Sequence, residues 1–205
     1  MHRTALVTGS AGFIGYHTAR RLLAEGWQVV GLDAMTDYYD VRLKRARLAL
    51  LQEAGRYHHV EARLEDPGCL MALMASERPD LVVHLAAQAG VRYALEAPRS
   101  YLEANVAGTF EMLEAARAHP PAHLLIASTS SVYGANEAMP YAETDKADTQ
   151  MSFYAATKKA TEAMAHAYSH LHLLPVTLFR FFTVYGPWGR PDMAPIRFAR
   201  AIRAG

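Results

Sequence analysis

The chain has 205 residues, a hydrophobic share of 51%, a formal net charge of +1 and one cysteine. That length suits one domain, or one and part of a second, and the interspersed charge predicts neither a nucleic-acid footprint nor a membrane-attracting surface. Cys69 alone excludes an internal disulfide and fits a cytoplasmic protein, and no apolar run approaches the ~20 residues of a membrane-spanning helix.

Met1-His2-Arg3 leads straight into Thr4-Ala-Leu-Val-Thr8, which reads as a short buried strand and not as the apolar region of a signal peptide. Gly9-Ser-Ala-Gly12-Phe-Ile-Gly15 follows, then a helix to about Glu25. Strand, glycine turn and helix make the context of a dinucleotide fingerprint, here spaced GxxGxxG. Gly9 allows the tight turn. Gly12 lets backbone approach a pyrophosphate at the helix N-terminus, where Phe13 and Ile14 stand, and Gly15 lets helix and strand pack closely.

Gln28 to Leu32 reads as the second strand, with Asp33 at its end. An acid there suits the adenosine ribose hydroxyls and repels a 2′-phosphate, which favours NAD over NADP. Asp37-Tyr-Tyr-Asp40 is a loop capping a basic helix to about Leu51, and its Arg42, Lys44, Arg45 and Arg47 read as a solvated face. Tyr57 to Ala62 is a third strand, Pro67 to Glu77 a helix, and Asp80 to His84 a fourth strand. The small residues of Leu85-Ala-Ala-Gln-Ala-Gly90 let backbone come close to a flat ligand. Pro98 to Ala118 reads as one long helix containing Asn105, and Ala122–Ala127 and Pro175–Arg180 as strands five and six. Strands alternating with helices predict an α/β fold with a doubly wound parallel sheet, whose ligands sit beyond the strands' carboxyl ends.

Strand five runs into Ser128-Thr-Ser-Ser131-Val-Tyr-Gly134, which places four hydroxyls at such an end. Further on, Tyr154 and Lys158 stand four apart in a helical stretch, on one face and roughly 6 Å apart along the axis. A phenol with a pKa near ~10 is a poor base at neutral pH, and a nearby ammonium lowers that pKa. The pair can exchange a proton with a substrate hydroxyl. His166 and His170 share a helix face but have no third ligand, so no metal site is expected.

Three stretches carry a resemblance: His84-Leu-Ala-Ala-Gln-Ala-Gly-Val-Arg92, Tyr154-Ala-Ala-Thr-Lys-Lys159 and Arg180-Phe-Phe-Thr-Val-Tyr-Gly-Pro-Trp-Gly-Arg-Pro-Asp-Met193. Nearly the whole chain resembles the extended short-chain dehydrogenases/reductases of the nucleotide-sugar epimerase type, and these motifs resemble those of the UDP-glucuronate 4-epimerases. The resemblance implies NAD as cofactor and a UDP-sugar as substrate, with UDP-glucuronate converted to UDP-galacturonate through a 4-keto intermediate. Tyr154 is then the base, Thr129 relays the proton of the 4-hydroxyl, and Lys158 holds the nicotinamide ribose and lowers the tyrosine pKa. Leu64, Leu85, Ala86, Ala87, Asn105, Ser128 and Phe181 join the glycine turn and Asp33 as cofactor contacts. Ser130, Ser131, Thr183 and Arg190 are placed for the C6 carboxylate. Arg92 reads either as a phosphate or carboxylate contact or as structural, and Lys159 as a surface charge.

Related sugar dehydratases carry an Asp-Glu pair where Ser130-Ser131 stands, so dehydration is disfavoured. The family usually has Asp and then an apolar residue after strand three. Here Arg63-Leu64 takes that place, with Leu64 keeping the apolar contact. The expected organisation is an NAD-binding domain over 1–180 and the beginning of a sugar-nucleotide domain over 181–205, which reads as cut short in a helix starting near Ala194. Relatives imply a homodimer through helices at about 98–118 and 152–172. A decarboxylase making a UDP-pentose, another nucleotide-sugar epimerase, and an NAD-binding chain without turnover stay open.

Overall fold

The computed structural model describes residues 3–205; Met1 and His2, part of the stretch read for a signal peptide, lie outside the described residues. Strands β1 (Thr4–Thr8), β2 (Gln28–Asp33), β3 (Tyr57–Glu61), β4 (Leu81–His84), β5 (His123–Thr129) and β6 (Val176–Phe181) form one parallel sheet in the order β3-β2-β1-β4-β5-β6. Helices α1 (Phe13–Ala24), α2 (Val41–Gln52), α3 (Cys69–Glu77), α4 (Tyr93–Glu96), α5 (Pro98–Tyr101), α6 (Gly108–Ala118) and α7 (Phe153–His172) connect them, and α8 (Ala194–Ala204) follows β6. This is the doubly wound α/β fold that the alternation predicts. Strand order reverses between β1 and β4, which opens a crevice at their carboxyl ends.

Both faces of the sheet are covered, so its central strands are apolar almost throughout. Side-chain alternation sends Leu6 of β1 to a core with Leu32, Met112, Leu113, Leu124 and Ile126. Ala5 and Val7 go to the other face, with Tyr16, Leu23, Val29 and Leu51. Among the described residues no helix is long and apolar enough to cross a membrane.

Three departures from the sequence reading bear on the site. The helix expected from Pro67 starts at Cys69, because Gly68 takes a left-handed φ of 79° that a helical turn cannot include. The helix expected over 98–118 is interrupted by a π-helical turn at Leu102–Ala107, which lies between α5 and α6 and contains Asn105. Such turns widen a helix and recur at functional sites. On α2 only Arg42 and Arg45 of the basic run are exposed. Lys44 and Arg47 are 7% and 0% exposed, so the solvated face is a correction. Their spacing, with buried Leu51, puts the two cations on the inner side of the helix.

Candidate active site

A cleft of about 650 Å³ opens over the strand ends, walled by Asp33 on the β2 side and by Thr129, Tyr154 and Lys158 on the β5 side. Gly9, Gly12, Phe13, Ile14 and Gly15 line it, as do Leu64, Leu85, Ala86, Ala87 and Phe181. Gly9 has φ of 71°, and a Cβ there would stand 2.8 Å from the Ala86 nitrogen. A Cβ on Gly15 would stand 2.0 Å from the Gly9 carbonyl oxygen. The two glycines therefore let the β1 turn, α1 and the β4 loop touch.

Thr8 and His84 fix the β4 loop. The Thr8 hydroxyl oxygen accepts from the Leu85 and Ala86 N–H groups at 3.2 and 3.1 Å. Its own proton then goes to His84 Nδ1, 2.9 Å away, which leaves the imidazole proton on Nε2, 3.2 Å from the Thr109 hydroxyl. Burial, with the nearby Lys158 charge, pushes the His84 pKa down to about 3. The ring is a neutral clamp between β1, β4 and α6.

Asp33 is buried, and its carboxylate accepts from the Ala11 N–H at 3.1 Å, the Met35 N–H at 2.9 Å and Lys44 Nζ at 3.2 Å. Lys44 also donates to the Thr36 hydroxyl at 3.1 Å and faces the cleft. A cation thus stands beside the acid expected to meet a ribose.

The Ser152 hydroxyl caps α7 by accepting from the Ala155 N–H at 3.1 Å, which puts Tyr154 in the first turn and Lys158 one turn later. Lys158 is 3% exposed. Burial pushes its ammonium down to about 8, against the Glu162 charge, and no hydrogen bond or ion pair among the described residues engages it. Burial also pushes the Tyr154 phenol above its ordinary value, opposed by the Thr129 hydroxyl and the Arg190 charge. The family resemblance assigns Lys158 the task of lowering that pKa. Here desolvation is the larger effect, and the opposing groups are Thr129 and Arg190. The helix N-terminus beside Tyr154 favours a phenolate in the same sense.

Other expected site residues divide into those in the cleft and those that support it. Ser130, Ser131 and Thr183 line it. Arg190 does too, but its guanidinium is already paired with Asp192, with Nε 3.1 Å from Oδ1, and lies 5.5 Å from the Tyr38 ring centroid. Ser128 lines the cleft as well, with its hydroxyl donating to Glu162 at 2.7 Å. Glu162 also takes Lys159 at 3.1 Å and Arg180 at 2.9 Å. Burial raises its pKa, but the Arg180, Ser128 and Lys159 bonds together hold it below the ordinary carboxylate value. Lys159 is therefore part of a half-buried network and not simply a surface charge. Asn105 is buried and outside the cleft lining: its amide holds the Gln88 backbone at 2.8 and 3.1 Å and the Thr157 hydroxyl at 3.0 Å, so it supports the loop that lines the cleft. Arg92 is exposed and outside the cleft lining. Leu64 is buried against Gly108, where a Cβ would come within 2.6 Å, and Arg63 pairs with Glu65 at 3.0 Å. Glu162, Lys44 and Tyr101 were not anticipated; Tyr101 packs edge-on to Tyr154 at 6.0 Å.

The family model described as NAD dependent epimerase/dehydratase family matches residues 5–205. A probable UDP-glucuronate 4-epimerase of Rhizobium meliloti (strain 1021) is 57% identical over 200 residues, covering 98% of this chain and 59% of that protein. The crystal structure of UDP-glucuronic acid 4-epimerase from Bacillus cereus, in complex with UDP-glucuronic acid and NAD, matches with a TM-score of 0.90 at 32% identity, over 98% of this chain and 63% of that one. A dTDP-glucose 4,6-dehydratase from Streptomyces venezuelae, with NAD bound, matches with a TM-score of 0.88 at 30% identity, over 98% and 62%. The chain thus spans less than two thirds of the length of each of these relatives.

Proposed function

The chain belongs to the NAD dependent epimerase/dehydratase family, and from that premise we propose that its cleft holds NAD and serves the 4-epimerisation of UDP-glucuronate. The residues present fit the cofactor. The glycine turn lines the cleft at the α1 N-terminus, where backbone N–H groups suit a pyrophosphate, and Asp33 stands where an adenosine ribose is gripped. Lys158 brings a buried ammonium, free of protein partners among the described residues, to the nicotinamide end. Bound NAD supplies the acceptor for the C4 hydride and its return to the opposite face of the sugar.

The protein's own part is proton transfer and orientation. Tyr154 takes the proton of the 4-hydroxyl through Thr129 and gives it back after the sugar ring has turned. Its buried phenol ionises at neutral pH only with help, which the Thr129 hydroxyl, the Arg190 charge and the α7 N-terminus provide. Ser130, Ser131 and Thr183 offer hydroxyl donors to the C6 carboxylate. Arg190 is its charge-assisted partner, on a guanidinium held in place by Asp192.

The observation that carries this reading is the juxtaposition of Tyr154, Lys158 and Thr129 in one cleft, with Ser130-Ser131 in place of an acid. A serine cannot protonate a leaving 6-hydroxyl near neutral pH, so epimerisation is favoured over dehydration. Proton NMR of the products from UDP-glucuronate tests it. UDP-galacturonate is expected, whereas a UDP-pentose with released CO₂ would make the site a decarboxylase. The same reading takes 1–180 as the cofactor domain and 181–205 as the beginning of the sugar-nucleotide domain. It places the protein in the cytoplasm as a homodimer.

A further inference from the structure

Arg47 is fully buried, and its hydrogen-bond partners among the described residues are neutral oxygens. Nη1 donates to the Ala11 carbonyl at 2.9 Å and to the Tyr39 hydroxyl at 2.7 Å; Nη2 donates to the Trp188 carbonyl at 2.6 Å. Those three acceptors belong to the glycine turn, the loop after β2, and residues 185–193 between β6 and α8. One guanidinium therefore ties together three separate walls of the cleft. Charged donors on neutral acceptors are strong when water is excluded.

Residues 185–193 lie as a strap against the rest. His17 Nε2 is 2.9 Å from the Pro187 carbonyl, the Tyr38 hydroxyl donates to Asp192 at 3.2 Å, and the Trp188 ring packs on Tyr16 at 5.9 Å. Arg190 and Met193 of the strap line the cleft. Trp188 itself has φ of 62°, a left-handed conformation that a bulky side chain adopts only under constraint. The Arg47 bond falls on the carbonyl of this strained residue. The strain opposes closure and the guanidinium opposes release, so the Arg47 bond is the charged tie among the several contacts that hold the strap.

Resting on the reading of the cleft as an NAD site, we infer that Arg47 is a positioning residue that holds the strap shut beside the dinucleotide and so sets how fast the cofactor leaves. Arg47→Met removes all three bonds at similar chain length. The measurement is release of NADH from the 205-residue chain, followed by its fluorescence on displacement with excess NAD. Arg47→Met should release NADH about tenfold faster or more, the size expected for losing charged hydrogen bonds, with little change in association rate. Arg47→Lys cannot span the three acceptors and should rescue only in part. If Arg47→Met does not fold, the double variant His17→Ala/Tyr38→Phe cuts two other strap ties and should also speed release. Unchanged release in whichever variant folds overturns the inference. If the wild-type chain binds no NADH, the cofactor reading fails instead. The strap is then tested by limited proteolysis within 185–193, where faster cleavage in the variant supports the tie and equal protection removes it.

Discussion

Tyr154 meets its environment as a buried phenol whose desolvation outweighs the groups that favour its ionised form. Any turnover must come from groups that act on it in the loaded cleft. Tyr154→Phe should therefore lose nearly all turnover and keep NAD affinity, since its hydroxyl and not its ring does the chemistry. Thr129→Val should lose on the order of 10²–10⁴-fold, as one proton-transfer partner does; a Tyr154→Phe variant with undiminished rate would remove the base from the mechanism. Cofactor choice is also decided between two side chains. Asp33 repels a 2′-phosphate, yet Lys44 Nζ, 3.2 Å away, offsets that charge. Lys44→Met should leave the carboxylate unbalanced and widen the preference for NAD over NADP by roughly tenfold. Titration of both cofactors checks it, and a ratio that stays the same or narrows would mean that Lys44 does not face the ribose. The tyrosine–lysine spacing, the glycines and Asp33 were legible because each depends on position along one element. Lys44 and Arg47 were not, because residue type suggested solvent while their inward direction is set by what packs on α2. Arg190 was legible as a cation but not as one already paired, because Asp192 comes into reach only through the turn of the 185–193 loop.

β1, β4 and α6 are joined by the line Thr8–His84–Thr109, and its middle member makes the fold sensitive to acid. His84 titrates near 6.5 when unfolded and at about 3 in the fold. Between those values the unfolded chain binds the extra proton. Stability contributed by the neutral ring is therefore present above 6.5 and is lost as pH falls toward 3, with a slope of up to about 1.4 kcal/mol per pH unit. Denaturant unfolding of wild type and His84→Gln at several pH values between 3 and 7 reads this directly. The variant should show a flatter dependence across that window, and parallel curves would contradict a neutral buried ring. Strands β1, β2 and β4 were readable to within about two residues because their apolar runs are buried on both faces. The π-helical turn was not, since nothing in the composition of Leu102–Ala107 departs from an ordinary helix. Its reason is tertiary: Asn105 reaches the Gln88 backbone on one side and Thr157 on the other.

At the scale of the molecule, the fold is an open parallel sheet whose reversal of strand order brings the glycine turn, Asp33, Thr129, Tyr154 and Lys158 to one crevice. Leu102, Phe110 and Phe153 expose apolar side chains on or beside α6 and α7, which is where the proposed homodimer forms. Sedimentation velocity at micromolar concentration should show a dimer, and a monomer throughout would remove that partner. The central claim is that the C4 hydride leaves the sugar and returns to the same sugar. UDP-glucuronate deuterated at C4 tests it most directly, supplied to the chain joined to the remaining C-terminal portion of a full-length relative. The relatives' greater length makes this the fair form for turnover, because binding remote parts of a substrate positions its reacting centre. The expected result is UDP-galacturonate that keeps the deuterium at C4, with no net reduction of NAD. A product with hydrogen at C4, or a UDP-pentose in place of the epimer, would contradict it.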